Sequence, residues 1–120
     1  MANPSRLDLV HKAIGAGIFG NIEWKPEAYA RVRADAEMQG YTPEAVRLLL
    51  RQYVLAGNPL SVRQETREER REEDPDNPYW YRAIIPVSEF PKGLFVEVVL
   101  IDYDETEPFV MVVNAHPQLS

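Results

Sequence analysis

The chain has 120 residues, no cysteine and a formal net charge of −6. One domain is the expectation at that length, and a chain this long buries a core without disulfide or metal staples. The lack of cysteine excludes a disulfide scaffold, a thiolate metal site and a cysteine nucleophile.

Hydrophobic residues make up 45% of the chain, which fits a soluble globular protein, and no apolar run reaches the ~20 residues that span a bilayer. The opening MANPSRLDLV lacks a basic start followed by a long apolar core, so no signal peptide is expected, and the cytoplasm is the simplest location. The charge is uneven. Residues 1–56 carry seven Lys/Arg against six Asp/Glu, +1, and residues 57–120 carry six against thirteen, −7. An acidic second half repels a phosphate backbone, which disfavours RNA and suits a basic protein partner better.

In chain order, Asn3-Pro4 or Ser5 can cap a first helix, with Leu7, Val10 and Ile14 on one face. The stretch GAGIFG breaks it, and Asn21 to Trp24 reads as a short strand. Pro26 suits the first turn of a second helix, because its missing N–H would be unpaired there in any case. That helix is expected to run to Gly40, with Tyr29, Val32 and Ala36 inward. Thr42-Pro43-Glu44 supplies a cap, a first-position proline and an acid near the positive end of the helix dipole. Val46, Leu49, Leu50 and Tyr53 form the apolar stripe of this third helix, and Gly57 ends it.

The texture then changes. LSVRQE can form a strand, RQETREERREED is nearly all charge, and DPDNP is a turn or loop. Tyr79–Val87, Leu94–Tyr103 and Phe109–Val113 are β-branched and aromatic runs separated by EFPKG and DETEP, the pattern of an antiparallel meander. Helices followed by strands predict an α+β fold, with helices on one face of a twisted antiparallel sheet of three to four strands. The single domain, 1–120, divides into a helix and Gly-rich connection (1–20), a strand with two helices (21–57), a charged arm or insertion (58–78) and the strands (79–117).

Several stretches bear on chemistry. Gly15, Gly17 and Gly20 spell G-x-G-x-x-G, but a dinucleotide site needs a strand before it and a helix after it. Here the order is reversed, and a helix-to-strand connection is the simpler reading. The segment Arg63–Asp74 carries four arginines and six acids, which suits a solvated arm or a docking segment rather than a nucleic-acid patch. Asp102 and Asp104 would share a strand face and could hold Mg²⁺ or do acid–base work, or simply mark a solvated turn. Tyr79-Trp80-Tyr81-Arg82 interleaves aromatics with a base, which can stack nucleobases, although alternate strand residues face opposite sides. Arg82 sits mid-strand, where a charge must face solvent, a cleft or a partner. Of the two histidines, His11 belongs to the first helix. His116 follows the point where the last apolar run stops, at Asn114, and is of a residue type suited to proton transfer.

IEWKPEAYARV…GYTPEAVRLLL resembles small bacterial domains related to the RelE and BrnT toxins. In these a short strand precedes a helix opening with a Pro-His-Ala-like motif and an arginine three residues after the alanine. A second helix then opens with a cap and a Glu-Glu-Val-like signature, and a twisted antiparallel sheet follows. Glu27-Ala28 and Arg31 match the first motif, with Glu27 where that family usually has histidine, and Glu44-Ala45-Val46 match the second. The ending VVNAHP is similar to the Thr-Ala-(aromatic)-Pro ending of related ribonuclease toxins, with Asn114 for threonine and His116 for the aromatic. The likeness covers residues 21–116. The chain departs from it in lacking the helix-start histidine, in extra residues between Arg31 and Gly40, in the charged segment 63–78 and in its acidity. The resemblance implies a RelE-like fold and metal-independent RNA cleavage, with no cofactor and with an antitoxin or other protein as partner. It implies proton transfer by His116 or Glu27 and phosphate neutralisation by Arg31 and Arg82, which would have to converge on the sheet's open face. The alternative is a non-catalytic acidic member of the same fold that docks on a basic macromolecule.

Overall fold

The computed structural model describes residues 6–34, 36–64 and 79–118, the side chain of Gln64 aside. Its elements in chain order are α1 (Leu7–Gly15), β1 (Ile22–Trp24), α2 (Pro26–Ala34), α3 (Pro43–Leu55), β2 (Ser61–Gln64), β3 (Tyr79–Val87), β4 (Phe90–Asp102) and β5 (Phe109–Pro117). The fold is α+β, as expected, but the sheet is larger than expected and mixed. Five strands lie in the order β1-β5-β4-β3-β2. β1 pairs parallel to β5, with Ile22 opposite Val110, and the other neighbours are antiparallel. The helices carry the chain from β1, at one edge, across the sheet to β2 at the other.

α1 begins after Arg6, which has φ 53° and no side-chain cap; the expected caps, Asn3 to Ser5, lie outside the described residues. Its buried residues are Leu9, Val10, Ala13 and Ile14, one helical stripe. α2 stops at Ala34 instead of reaching Gly40, and a 3₁₀ turn, Ala36–Met38, follows. That turn seats Met38 in the core, where the expected longer helix would have placed the exposed Ala36. α3 starts as its sequence dictates. The Thr42 hydroxyl accepts the Ala45 N–H at 3.1 Å, with Pro43 beginning the helix.

All three helices cover one sheet face. Val10, Ile14, Val32, Val46 and Leu50 meet Tyr81, Ala83, Leu94, Val96, Val98, Leu100, Val110 and Val112 in a single core. On β3 and β4 the inward residues alternate, the period of a strand. On β5 they do not. The register slips by one residue beside Glu97 and Val98, because Glu97 pairs with Asn114 while Val98 pairs with Val112. The extra residue, Val113, is a β-bulge. Before it Val110 and Val112 face the helices; after it Ala115 does. His116, which shares its parity with Val110 and Val112, is thereby turned to the opposite face. β5 also runs on to Pro117 instead of stopping at Asn114, so His116 lies within a strand and not beyond its end.

The β3–β4 hairpin needs Gly93. Its φ is +91°, and a Cβ there would lie 2.9 Å from Ile84 Cγ2 and 3.0 Å from the Ile85 carbonyl oxygen. Among the described residues no helix is long and apolar enough to cross a membrane.

Candidate functional site

The face of the sheet away from the helices carries the polar chemistry. Arg82, Glu97 and Asn114 lie directly across from one another on β3, β4 and β5. Glu97 is only 2% exposed and is the one buried charged side chain among the described residues. Its Oε2 accepts a hydrogen bond from Arg82 Nε at 3.0 Å and lies 3.7 Å from Arg63 Nη2. Its Oε1 accepts from Asn114 Nδ2 at 2.8 Å. A carboxylate out of water needs this much compensation. Arg63, opposite Trp80 on β2, lays its guanidinium over the indole ring at 5.5 Å.

The adjoining row is Ile84, Phe95 and His116. Phe95 stacks on the His116 ring with centroids 4.8 Å apart, and the Arg82 guanidinium lies 5.6 Å from the Phe95 centroid. Phe95 therefore joins Arg82 to His116. His116 Nδ1 is 2.9 Å from the Pro117 carbonyl oxygen. A carbonyl only accepts, so in this bond Nδ1 carries the proton, and a neutral ring keeps its lone pair on Nε2. The row continues into a shallow cleft of about 470 Å³ at the hairpin end, lined by Ile84, Pro86, Pro91, Lys92 and Gly93 among others. At the other end of the face, Trp80, Val99 and Val113 form a small second apolar cluster.

Two of the four sequence-predicted site residues, Arg82 and His116, thus meet on the open face. Glu27 and Arg31 do not join them. Both are exposed on α2, whose buried Ala28 and Val32 fix it to the helix-covered side. Glu27 lies 3.9 Å from Lys25.

The other candidate stretches resolve into structure. The three glycines run from the last residue of α1 through the loop that leads to β1, and Gly20 is required because a Cβ would lie 2.6 Å from the Ile14 carbonyl oxygen. Asp102 ends β4 and Asp104 lies beyond it, so they share no strand face. They bind their own turn instead. Asp102 accepts the Asp104 N–H at 3.0 Å, and Asp104 accepts from Thr106 Oγ1 at 2.6 Å and Thr106 N at 2.8 Å. The Thr106 hydroxyl and the turn amides hold the Asp104 carboxyl below its ordinary pKa. Of the YWYR aromatics, Tyr81 is core and Trp80 lies on the opposite face. His11 is half-buried on α1. The charged segment beyond Gln64 lies outside the described residues.

Sequence reasoning missed Glu97, Arg63 and Phe95. The signal for Glu97 is present in FVEVVL, where one acid interrupts an otherwise apolar strand. No family model, no curated protein and no solved structure matches the chain.

Proposed function

We propose that the open sheet face is the working surface of a RelE/BrnT-like toxin-fold protein that cleaves RNA without a metal. The observation that carries this reading is the common face of Arg82 and His116, joined through Phe95. His116 Nε2 takes the proton of a ribose 2′-hydroxyl, whose oxygen attacks the adjacent phosphorus. The P–O5′ bond breaks, and the leaving oxygen takes its proton from solvent. Arg82 supplies positive charge to the crowded phosphate. Glu97 grips Arg82 through Nε, which aims the rest of its guanidinium outward. Glu27 and Arg31, on the far side of the sheet, have no part in these steps.

One observation favours a second reading. Glu97 offsets one of the two guanidinium charges, Arg63 and Arg82, that an RNA phosphate would need, and the chain is acidic overall. A non-catalytic protein that docks on a basic macromolecule through its exposed acids, those of the 102–107 turn among them, fits that balance.

The test is RNA cleavage by the purified protein in chelator, beside His116→Ala and Arg82→Ala. Metal-independent cleavage that falls at least about 100-fold in each variant supports the ribonuclease, since a positioned acid–base group contributes that much or more. No cleavage above background by the wild type removes it and leaves the binder.

A further inference from the structure

The described surface has six large hydrophobic side chains that are well exposed, and four of them gather where α1 ends against α3. Ile18 is 76% exposed and Phe19 57%, at the tip of the α1–β1 loop; Leu55 is 56% and Leu48 40% exposed, on α3. Positions 48 and 55 lie two helical turns apart on one stripe. Leu55 reaches the α1 end of the loop, because a Cβ on Gly15 would lie 3.1 Å from Leu55 Cδ2.

The loop is fixed in this exposed form. Arg51 donates a hydrogen bond to the Gly17 carbonyl oxygen, and the Arg47 guanidinium lies 5.8 Å from the Phe19 ring centroid. The Gly20 N–H bonds the Ala16 carbonyl at 2.8 Å, and the Asn21 N–H bonds the Ala13 carbonyl at 2.8 Å. An apolar tip held out into water by two arginines and two backbone bonds is a preorganised contact, which lowers the ordering cost of association.

The charge around α1 says what would cover it. On the α3 flank of α1 lie Ile18, Phe19, Arg47 and Arg51. On its other flank lies the acidic β4–β5 turn: Arg6 sits over the Tyr103 ring at 5.8 Å, and Lys12, in the last turn of α1, donates to the Glu105 carbonyl. Glu105 and Glu107 in this turn are exposed. The surface around α1 is therefore apolar and basic on one flank and acidic on the other, where Arg6 and Lys12 offset part of the acidity. A copy related by a two-fold axis brings each basic flank onto the partner's acidic flank, with the apolar tips between them, which is the self-complementarity of an isologous dimer.

We infer that the Ile18–Phe19 loop, α1 and the 102–107 turn form the interface of a two-fold homodimer. This surface is separate from the open sheet face and does not depend on its chemistry.

Sedimentation equilibrium on the full chain tests it, beside Ile18→Ser/Phe19→Ser and Glu105→Lys/Glu107→Lys. All four side chains are exposed, and circular dichroism checks that both variants are folded. The wild type is expected to be dimeric at about 100 μM in low salt. The serine variant should weaken association at least about tenfold by removing the apolar centre. The lysine variant should weaken it at least about fivefold at low salt, with the gap closing near ~1 M salt as the charges are screened. A wild-type monomer at about 1 mM, an association indifferent to both variants, or open-ended growth beyond a dimer each overturns the inference.

Discussion

Arg82 and Glu97 stand directly opposite each other on β3 and β4, with Nε 3.0 Å from Oε2, and Glu97 is almost wholly buried beneath the guanidinium. The pair is asymmetric, since the arginine keeps a third of its side chain in water. Removing the acid leaves Arg82 and Arg63 facing one another and Asn114 without its acceptor. Glu97→Ala should therefore cost about 3–5 kcal/mol, the usual penalty for breaking a buried pair from one side. Glu97→Gln, which keeps one acceptor, should cost less. Urea denaturation decides; a loss under about 1 kcal/mol for the alanine would mean that water already compensates the carboxylate.

The bulge at Val113 makes a second prediction. Deleting Val113 restores simple alternation to β5 without changing which residues face the helices: Val112 stays opposite Val98, Asn114 stays opposite Glu97, and His116 keeps the open face. The deletion and Val113→Ala should then each cost about 1–2 kcal/mol, from lost apolar burial against Trp80 and Val99. A deletion that unfolds the protein where Val113→Ala does not would show that the local twist of the bulge is needed as well as its side chain.

Gly93 and Gly40 both have positive φ, +91° and +86°, but only Gly93 is crowded. Gly40→Ala meets open space and should cost about 1 kcal/mol from backbone strain alone. Gly93→Ala adds the contacts with Ile84 and Ile85 and should cost about 2–3 kcal/mol. Thermal unfolding of the two variants side by side checks the order.

Tyr41 ties the start of α3 to the hairpin tip by donating to Glu89 Oε1 at 2.5 Å. This bond holds the Glu89 carboxyl below its ordinary pKa and raises that of the Tyr41 hydroxyl. For Glu89 the folded value is the lower, so its contribution is present above the ordinary value of 4.5 and is lost as pH falls below it. For Tyr41 the folded value is the higher, so its contribution is present below 10.0 and is lost as pH rises above it. Tyr41→Phe should lower stability near neutral pH, with the gap from wild type narrowing at both extremes. A gap independent of pH across unfolding curves would assign the effect to packing on Phe90 instead.

Binding to single-stranded RNA should also respond to Arg82. If this residue meets a phosphate, Arg82→Gln should reduce the slope of log affinity against log salt by roughly one unit. A titration over several salt concentrations reads the slope directly, and an unchanged slope removes Arg82 from the phosphate contact.

The sequence was most legible where local chemistry decides. Thr42-Pro43-Glu44 carries its own helix start, and the apolar runs 79–87 and 94–103 announce strands. The parallel pairing of β1 with β5 was not legible, since three residues carry no sign of a distant neighbour. The bulge was not legible either, because Val113 and Asn114 fit an unbroken strand as well as a bulged one, and only the pairing partner on β4 tells them apart. That single slip decides which face His116 serves. Arg82 was recognisable as a charge in need of a partner, while its partner, Glu97, needed the β3–β4 register to be known.

The β1–β5 pairing has a consequence for how the chain is made. Ile22 finds its neighbour Val110 only after the long stretch of chain between them has been made. Contacts so far apart in sequence close late and slowly. On the ribosome, β1 and the helices behind it must wait with one side of their apolar surface uncovered until β5 emerges. The newborn chain is therefore most vulnerable to aggregation and proteolysis just before β5 is released.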